Sequence, residues 1–324
     1  MFSPFLWVAG ILLAGAAWEW VASAWTKRRF PPPGRLIDIG GRRLHLHYAG
    51  NAAGPTVIIE TGRFNTSAMW TLVHDQVKRF ARVCSYDRAG YAWSDSDREP
   101  RTGERVCSDL EALLAAADIP GPYLLVGHSL GTMYVRRFAQ LHPEQVAGII
   151  LVDPYTEGEF LGATRAEAAQ QVRFLLLFRA ISRIGIPRLV VGLARGMAEM
   201  LTRFPAPERR RIITLGCSHQ LWRAVDAEWR QLDGLVCQLG GPGSLGDIPL
   251  LVLRSCRCDI KPSGQYTQAM VDARWRLMKD AQAALIHLSS RGHLTDLPNT
   301  GHGVPLENPE AVVAAIKEMI GPPE

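Results

Sequence analysis

A serine enclosed by two glycines is the strongest chemical signal in this sequence. The stretch Gly127-His128-Ser129-Leu130-Gly131 follows the apolar run 123–126 and precedes a run of helical character. A G-x-S-x-G pentapeptide between a buried strand and a helix predicts a tight turn that projects the serine hydroxyl above the sheet edge. The amide of Leu130, at the positive end of the following helix, would then point toward an oxyanion. Ser129 is therefore the predicted nucleophile, and Leu130 one predicted oxyanion donor.

The elements that must position this serine alternate between predicted strands and predicted helices. Gly40-Gly41 joins two short strands into an opening hairpin, and the β-branched run Thr56–Glu60 is a further strand. The segments that follow are predicted as helix 68–80, strand 83–86, helix 104–117, strand 123–126, helix 132–141 and strand 146–152. Such alternation predicts a parallel sheet covered by helices on both faces.

Several motifs along the chain carry a family resemblance. They are ETG at 60–62, YDRAGYAWSD at 86–95, GHSLG at 127–131, LVDP at 151–154 and TGHGVPLENPE at 300–310. Over residues 35–320 the sequence resembles the α/β-hydrolases, and it looks like a bacterial subgroup of membrane-anchored serine hydrolases. The resemblance implies an α/β-hydrolase fold, with a mostly parallel, doubly wound sheet and an inserted helical cap. It does not imply a substrate, because this fold supports many chemistries.

The resemblance also implies a general base and an acid that orients it. His302 matches the position of the base, whereas His293 is expected to be an exposed residue of the same loop. The acid should follow a strand beside His302, where it can hold the imidazole in one tautomer. Asp153 ends the strand AGIILVD and is the predicted acid, and Asp259, after LLVLRSCRC, is the alternative.

The second oxyanion donor is expected in the loop after Glu60-Thr61-Gly62. By position it is the backbone N–H of Arg63, a role that requires no particular side chain. Asp87 and Arg88 match a family motif and are expected to brace this loop through an ion pair.

A long insertion between Asp153 and Pro249 is predicted to form a helical cap over the nucleophile. Residues 155–245 contain 12 Arg, no Lys and 8 Asp plus Glu. Two interpretations stay open: a lipophilic entrance that faces an anionic bilayer, or a cap packed on the core with solvated arginines. The predicted organisation is an anchor and basic flank (1–30), the first part of the core (31–154), the cap (155–247) and the second part of the core (248–324).

The N-terminal segment has the composition of a membrane helix. Residues 5–25 contain Glu19 as their only charge and are long enough to cross a hydrocarbon core. The basic residues Lys27, Arg28 and Arg29 follow this segment, so the positive-inside rule predicts a single-pass protein with a cytoplasmic catalytic domain. The alternative is export after signal cleavage, since Ala22-Ser23-Ala24 resembles a cleavage site, although no basic residue precedes the apolar run.

Composition narrows the range of partners and cofactors. The 324 residues carry a net charge of +5 without a basic tract, so a nucleic-acid partner is not expected. The six cysteines contain no C-x-x-C pair and the nine histidines are scattered, so neither a metal site nor another cofactor is predicted. The cysteines are expected to be buried or half-buried free thiols.

Two functions are compatible with these residues. The first is a serine hydrolase that cleaves an ester or related acyl bond of a small hydrophobic substrate through an acyl-enzyme on Ser129. The alternative is a non-catalytic binding protein of the same fold at the membrane, which would require a damaged set of catalytic residues; Ser129 and His302 are both present.

Overall fold

The computed structural model describes residues 4–162, 164–191, 201–262 and 267–321. The parts of the predicted anchor, cap and second core segment that fall in the gaps or at the ends lie outside these ranges. The helices of the described chain are α1 (Pro4–Arg29), α2 (Thr71–Val77), α3 (Gly103–Ala116), α4 (Gly131–Leu141), α5 (Glu157–Leu161), α6 (Arg165–Ser182), α7 (Ile186–Val191), α8 (Ala206–Gly216), α9 (His219–Trp229), α10 (Leu232–Gln238), α11 (Gln268–Ala284), α12 (Val304–Glu307) and α13 (Pro309–Ile320).

An eight-stranded, mostly parallel sheet forms the centre, as predicted. Its strands are β1 (Arg35–Asp38), β2 (Arg43–Ala49), β3 (Thr56–Glu60), β4 (Val83–Tyr86), β5 (Tyr123–His128), β6 (Val146–Val152), β7 (Leu250–Ser255) and β8 (Gly292–Leu297). Their order is β1-β2-β4-β3-β5-β6-β7-β8. The hairpin β1–β2 and the pair β2–β4 are antiparallel, and all other pairs are parallel.

Side chains of the central strands alternate between two cores, because successive residues of a strand point to opposite faces. In β3, Ile58 packs in a buried cluster that includes Leu113 of α3. Its neighbours Val57 and Ile59 pack in a second cluster with residues such as Ile316 of α13. The helices therefore cover both faces, and the carboxyl ends of the parallel strands meet at one edge.

One predicted helix is shorter than its sequence pattern. The segment 68–80 begins as a 3₁₀ turn at Ser67–Trp70, and α2 then ends at Val77. The N–H of Phe80 donates to the carbonyl of Val77 (3.0 Å), so the chain forms a tight turn before the end of the segment predicted to be helical.

The described residues between β6 and β7 include helices α5 to α10, which correspond to the predicted cap. The N-terminal helix α1, which is long and apolar enough to cross a membrane, contacts this region. Arg188 of α7 donates to Glu19 (Nε–Oε2, 2.6 Å) and to Ser23 (Nη2–Oγ, 2.8 Å) of α1. Glu19 and Arg188 are both largely buried, so α1 is joined to the cap by an enclosed ion pair.

All six cysteines are free thiols. Cys84, Cys107 and Cys217 are buried, and burial raises the pKa of Cys84 to about 12. Cys237 and Cys256 are exposed, contrary to the expectation that all six would be at least partly buried. Their positions, at the end of α10 and directly after β7, place them at the surface.

Candidate active site

Ser129 occupies a strained turn between β5 and α4. Its φ is 51°, in the left-handed region that residues other than glycine rarely adopt. The turn depends on its flanking glycines: a Cβ at Gly127 would lie 2.8 Å from the carbonyl oxygen of Gly131, and one at Gly131 would lie 2.6 Å from that of Glu60. This backbone conformation places the hydroxyl of Ser129 at the carboxyl edge of the sheet.

His302 lies between β8 and α12 and contacts both of its expected partners. Its Nε2 accepts from the Ser129 hydroxyl (3.1 Å), and its Nδ1 donates to Asp153 Oδ2 (2.6 Å). Desolvation favours the neutral imidazole, but the hydrogen bond and negative charge of Asp153 outweigh it and raise the pKa of His302. The ring is thereby held in the tautomer that a base for Ser129 requires.

Asp153 follows β6 and is buried. Its φ is 38°, and its other oxygen, Oδ1, accepts from the N–H of Ser255 (3.0 Å) and from Gln282 Nε2 (3.2 Å). Lys279 lies 3.6 Å from the same oxygen. Although burial opposes the charge, the His302 hydrogen bond and these neighbours hold the pKa of Asp153 well below its usual range. The carboxylate is therefore ionised and fixed in orientation.

The two alternative residues lie elsewhere. Asp259 accepts from the backbone N–H of His302 (3.0 Å) and pairs with Arg257 (2.9 Å), so it contacts the main chain of the histidine loop and not the imidazole. His293 is exposed, as expected, but it belongs to β8 and pairs with Leu251, whereas the sequence suggested a loop. The strand lies at the sheet edge and three of its six residues are exposed, so it lacks the continuous apolar run that marks a buried strand.

The two expected oxyanion donors lie beside Ser129. A Cβ at Gly62 would be 3.2 Å from the Cβ of Ser129, so the loop that carries Arg63 packs directly against the nucleophile turn. Within the described residues, the backbone N–H groups of Arg63 and Leu130 have no hydrogen-bond partner. Neither amide is therefore engaged by another described group, and their role as oxyanion donors stays a prediction.

Arg88 braces this loop, as expected, but Asp87 has a different role. The guanidinium donates to the carbonyls of Thr61 (2.6 Å) and Gly62 (3.3 Å). Its ion pairs are with Glu60 of β3 and with Glu228 of the cap helix α9 (Nε–Oε1, 2.8 Å).

Asp87 instead pairs with His45 of β2. Its Oδ2 accepts from His45 Nδ1 (2.6 Å), and its Oδ1 accepts from the N–H of Ser67 (2.8 Å). Asp87 therefore does not form the expected ion pair at the oxyanion loop. It joins β2 to the 3₁₀ turn at Ser67–Trp70 through its hydrogen bonds to His45 and Ser67.

His128 is a further residue of the site that sequence reasoning missed. Its Nε2 donates to the carbonyl of His302 (2.9 Å), and its Nδ1 accepts from Asn65 Nδ2 (3.3 Å). Burial and the adjacent His302 lower the pKa of His128 to about 3, so it is neutral and holds the base loop in place. Its only sequence signal was its place in the variable position of G-x-S-x-G.

In the described ranges, no three His, Cys, Asp or Glu side chains come together in a way that could hold a metal ion.

Comparison with known proteins agrees with this architecture. The sequence model of the alpha/beta hydrolase family matches residues 44–315. Among solved structures, a Nostoc sp PCC 7120 protein proposed to be an alpha/beta hydrolase aligns with a TM-score of 0.67 at 19% identity, covering 87% of this chain and 95% of that one. A Pseudomonas aeruginosa protein proposed to be an epoxide hydrolase aligns with a TM-score of 0.62 at 15% identity, covering 87% and 93%. These likenesses concern the fold.

Curated relatives match this chain over less than half of their own length. The Hormonema carpetanum protein named "Probable transporter efuK" is 27% identical over 307 residues, which cover 88% of this chain and 42% of that protein. The Bacillus subtilis protein YqjL is 30% identical over 132 residues, or 41% of this chain and 49% of its own length. The vacuolar membrane protein YNL115C of Saccharomyces cerevisiae is 33% identical over 124 residues, 37% of this chain and 19% of the yeast protein. The chain thus spans less than half the length of these relatives.

Proposed function

The chain belongs to the alpha/beta hydrolase family, and we propose that it is a serine hydrolase that cleaves an ester or related acyl bond of a small hydrophobic substrate. The observation that carries this proposal is the continuous hydrogen-bonded row from Asp153 through His302 to Ser129. A hydroxyl, an imidazole and a fixed carboxylate in this order are the parts that nucleophilic acyl transfer requires.

Each step of the proposed reaction uses a contact in the site. Ser129 Oγ attacks the acyl carbon while His302 Nε2 takes its proton, and Asp153 stabilises the imidazolium that forms. The N–H groups of Leu130 and Arg63 bind the oxyanion of the tetrahedral intermediate. His302 then protonates the leaving group, and water, activated by the same nitrogen, hydrolyses the acyl-enzyme.

The identity of the nucleophile favours acyl transfer over the opening of an epoxide. Epoxide hydrolysis in related folds depends on an aspartate at the nucleophile position, because attack by a carboxylate yields an ester that water can cleave. This chain has Ser129 there. A structural neighbour proposed to be an epoxide hydrolase therefore supports the fold and not the same reaction.

A membrane location accompanies the proposal. Helix α1 presents exposed apolar side chains such as Phe5 and Leu13, and a hydrocarbon phase would remove them from water. The yeast relative is a vacuolar membrane protein, which is consistent with membrane association. We propose that α1 attaches the enzyme to a membrane, with the catalytic domain on the cytoplasmic side.

Covalent labelling with a fluorophosphonate tests the nucleophile. We expect Ser129→Ala to abolish both labelling and turnover of a short p-nitrophenyl ester, with a loss of several orders of magnitude, because triad members act as a unit. Ser290→Ala, at an exposed serine far along the chain, is the matched control and should label like the wild type. A wild-type protein that neither labels nor turns over any ester would favour the non-catalytic alternative, and labelling that survives Ser129→Ala would refute the assignment.

A further inference from the structure

Arg63 carries a guanidinium beside the nucleophile turn that has no hydrogen-bond acceptor and no ion-pair partner in the described residues. Within the described part of the chain, seven arginines have a buried side-chain nitrogen without a hydrogen bond: Arg42, Arg63, Arg82, Arg101, Arg136, Arg137 and Arg211. The other six each form an ion pair or a hydrogen bond through another nitrogen. Arg63 forms neither among the residues described. A partly buried cation without a counter-charge or a hydrogen-bond acceptor is unfavourable, so this position needs an explanation.

The guanidinium lies between the oxyanion loop and the cap. Its carbon is 4.5 Å from the ring centre of Trp229, the last residue of α9, and 5.2 Å from that of Phe64. Trp229 also meets Phe160 of α5, with ring centres 6.1 Å apart. The backbone of Arg63 belongs to the loop that packs on Ser129. The cation therefore lies against two aromatic rings, one in the loop that packs on Ser129 and one in the cap helix α9.

The carboxylate of Glu228, whose negative charge acts on Arg63, is already engaged. Glu228 accepts from Arg88 Nε (2.8 Å) and Nη2 (3.1 Å) and from the Tyr91 hydroxyl (2.7 Å), and it forms no ion pair with Arg63. Desolvation without a close counter-charge lowers the pKa of Arg63, although an arginine stays protonated at any physiological pH. The charge of Arg63 is thus available to a ligand.

We propose that Arg63 determines specificity by binding an anionic group, a carboxylate or a phosphate, at one end of the ester substrate. The inference rests on the proposed serine hydrolase function and refines its substrate class. Phe64, Trp229 and Phe160 provide apolar contacts, while the planar guanidinium can bind two oxygens of one anion. The substrate is then an ester that is apolar along part of its length and negatively charged at one end.

Matched ester pairs test this charge preference in the full-length protein. The carboxylate pair is p-nitrophenyl hemisuccinate and its methyl ester, and the phosphonate pair is p-nitrophenyl 3-phosphonopropanoate and its dimethyl ester. We expect wild-type kcat/KM to favour at least one anionic member by about tenfold or more, because a charge-assisted contact is gained. The pair with the larger ratio identifies whether the site accepts a carboxylate or a phosphate-like group.

Substitutions then assign the preference to Arg63. Arg63→Met should lower the anionic-to-neutral ratio of kcat/KM to about one. Arg63→Lys should retain part of this preference, because lysine keeps the positive charge but lacks the planar guanidinium that can donate two hydrogen bonds to one anion. The ratio cancels any effect that both esters share through the oxyanion loop. Arg173→Met, at an exposed arginine of α6, is the control and should leave the ratio unchanged.

Two outcomes overturn the inference without touching the proposed reaction. One is a wild-type enzyme that treats both members of each pair alike, and the other is an Arg63→Met ratio equal to that of the wild type. In both cases turnover that disappears with Ser129→Ala shows that the serine mechanism stands. Turnover that survives Ser129→Ala would instead refute the proposed function itself.

Discussion

The two oxygens of Asp153 contact different groups, and this separation defines the candidate triad. Oδ2 receives the Nδ1–H of His302, whereas Oδ1 is held by the Ser255 amide and by Gln282. The carboxylate cannot rotate without breaking one of these sets. The imidazole is consequently fixed with Nε2 toward Ser129. The negative charge that raises the His302 pKa is that of Asp153, which is held at the carboxyl edge of the sheet.

Replacement of Asp153 should affect both the rate and its pH dependence. Only neutral His302 can take a proton, so the raised pKa should place the acid limb of the wild-type kcat/KM profile above the ordinary imidazole value of about 6.5. Asp153→Asn should lower turnover by about 10⁴-fold, as in a serine protease triad, and should move the residual acid limb to lower pH. The measurement is kcat/KM for a p-nitrophenyl ester from pH 5 to 9.

Asp259→Asn is the matched control for that experiment. Asp259 contacts the backbone N–H of His302 and is partly exposed, so its loss should alter the rate only a few-fold and shift the acid limb much less than Asp153→Asn does. A larger rate loss from Asp259→Asn than from Asp153→Asn would reverse the assignment of the acid.

At the scale of elements, Arg88 links the cap to the oxyanion loop. One guanidinium binds the carbonyls of Thr61 and Gly62, the carboxylate of Glu60 in β3 and that of Glu228 in α9. Glu228 and Arg88 are buried. A shift of α9 would therefore change the position of the loop whose amide is expected to bind the oxyanion.

Glu228→Gln tests this link. The amide should hold Arg88 less firmly, so we expect kcat to fall by about 10- to 100-fold with a smaller change in KM, because a displaced oxyanion donor affects the transition state most. Asp226→Asn is the control: it removes an acid of the same helix that pairs with Arg179 and Arg230. Equal effects of the two variants on kcat, with equal shifts in thermal unfolding, would show that Glu228 acts only through stability.

The parts of this site that could be predicted from the sequence are those encoded locally. The pentapeptide around Ser129 and the alternation of strands and helices are short-range patterns, and the sheet follows from them. Contacts such as Arg88 with Glu228 join residues 140 positions apart and leave no local pattern. Local patterns do not distinguish Asp153 from Asp259 for a related reason. Both follow strands, and only the folded structure shows which carboxylate contacts the His302 ring and which contacts its backbone N–H.

At the scale of the whole molecule, the N-terminal helix is part of the cap as well as an apolar segment. Its first half is exposed, with Phe5 at 85% and Leu13 at 72%, and in its second half Trp20 is 75% exposed whereas Glu19 and Thr26 are buried. Arg188 contacts Glu19, Ser23 and Thr26 together, and the N–H of His219 donates to Glu19 Oε1 (3.1 Å). One face of the second half of α1 therefore contacts the cap, and the opposite face of that half continues the exposed apolar surface of the first half.

The buried pair of Glu19 and Arg188 makes this dual role testable. Glu19→Gln leaves Arg188 enclosed without a counter-charge and should lower the free energy of unfolding by about 3 kcal/mol, whereas Glu19→Gln with Arg188→Met should recover much of that loss. Thermal unfolding in detergent measures the stability of each full-length variant. The full-length variants should still sediment with membranes, because the exposed apolar side chains of α1 are unchanged. A chain that begins at Pro31 should become soluble but show the same loss of stability. If the Glu19→Gln variant and the shortened chain unfold at the same temperature as the wild type, α1 serves only to attach the protein to the membrane and does not stabilise the cap.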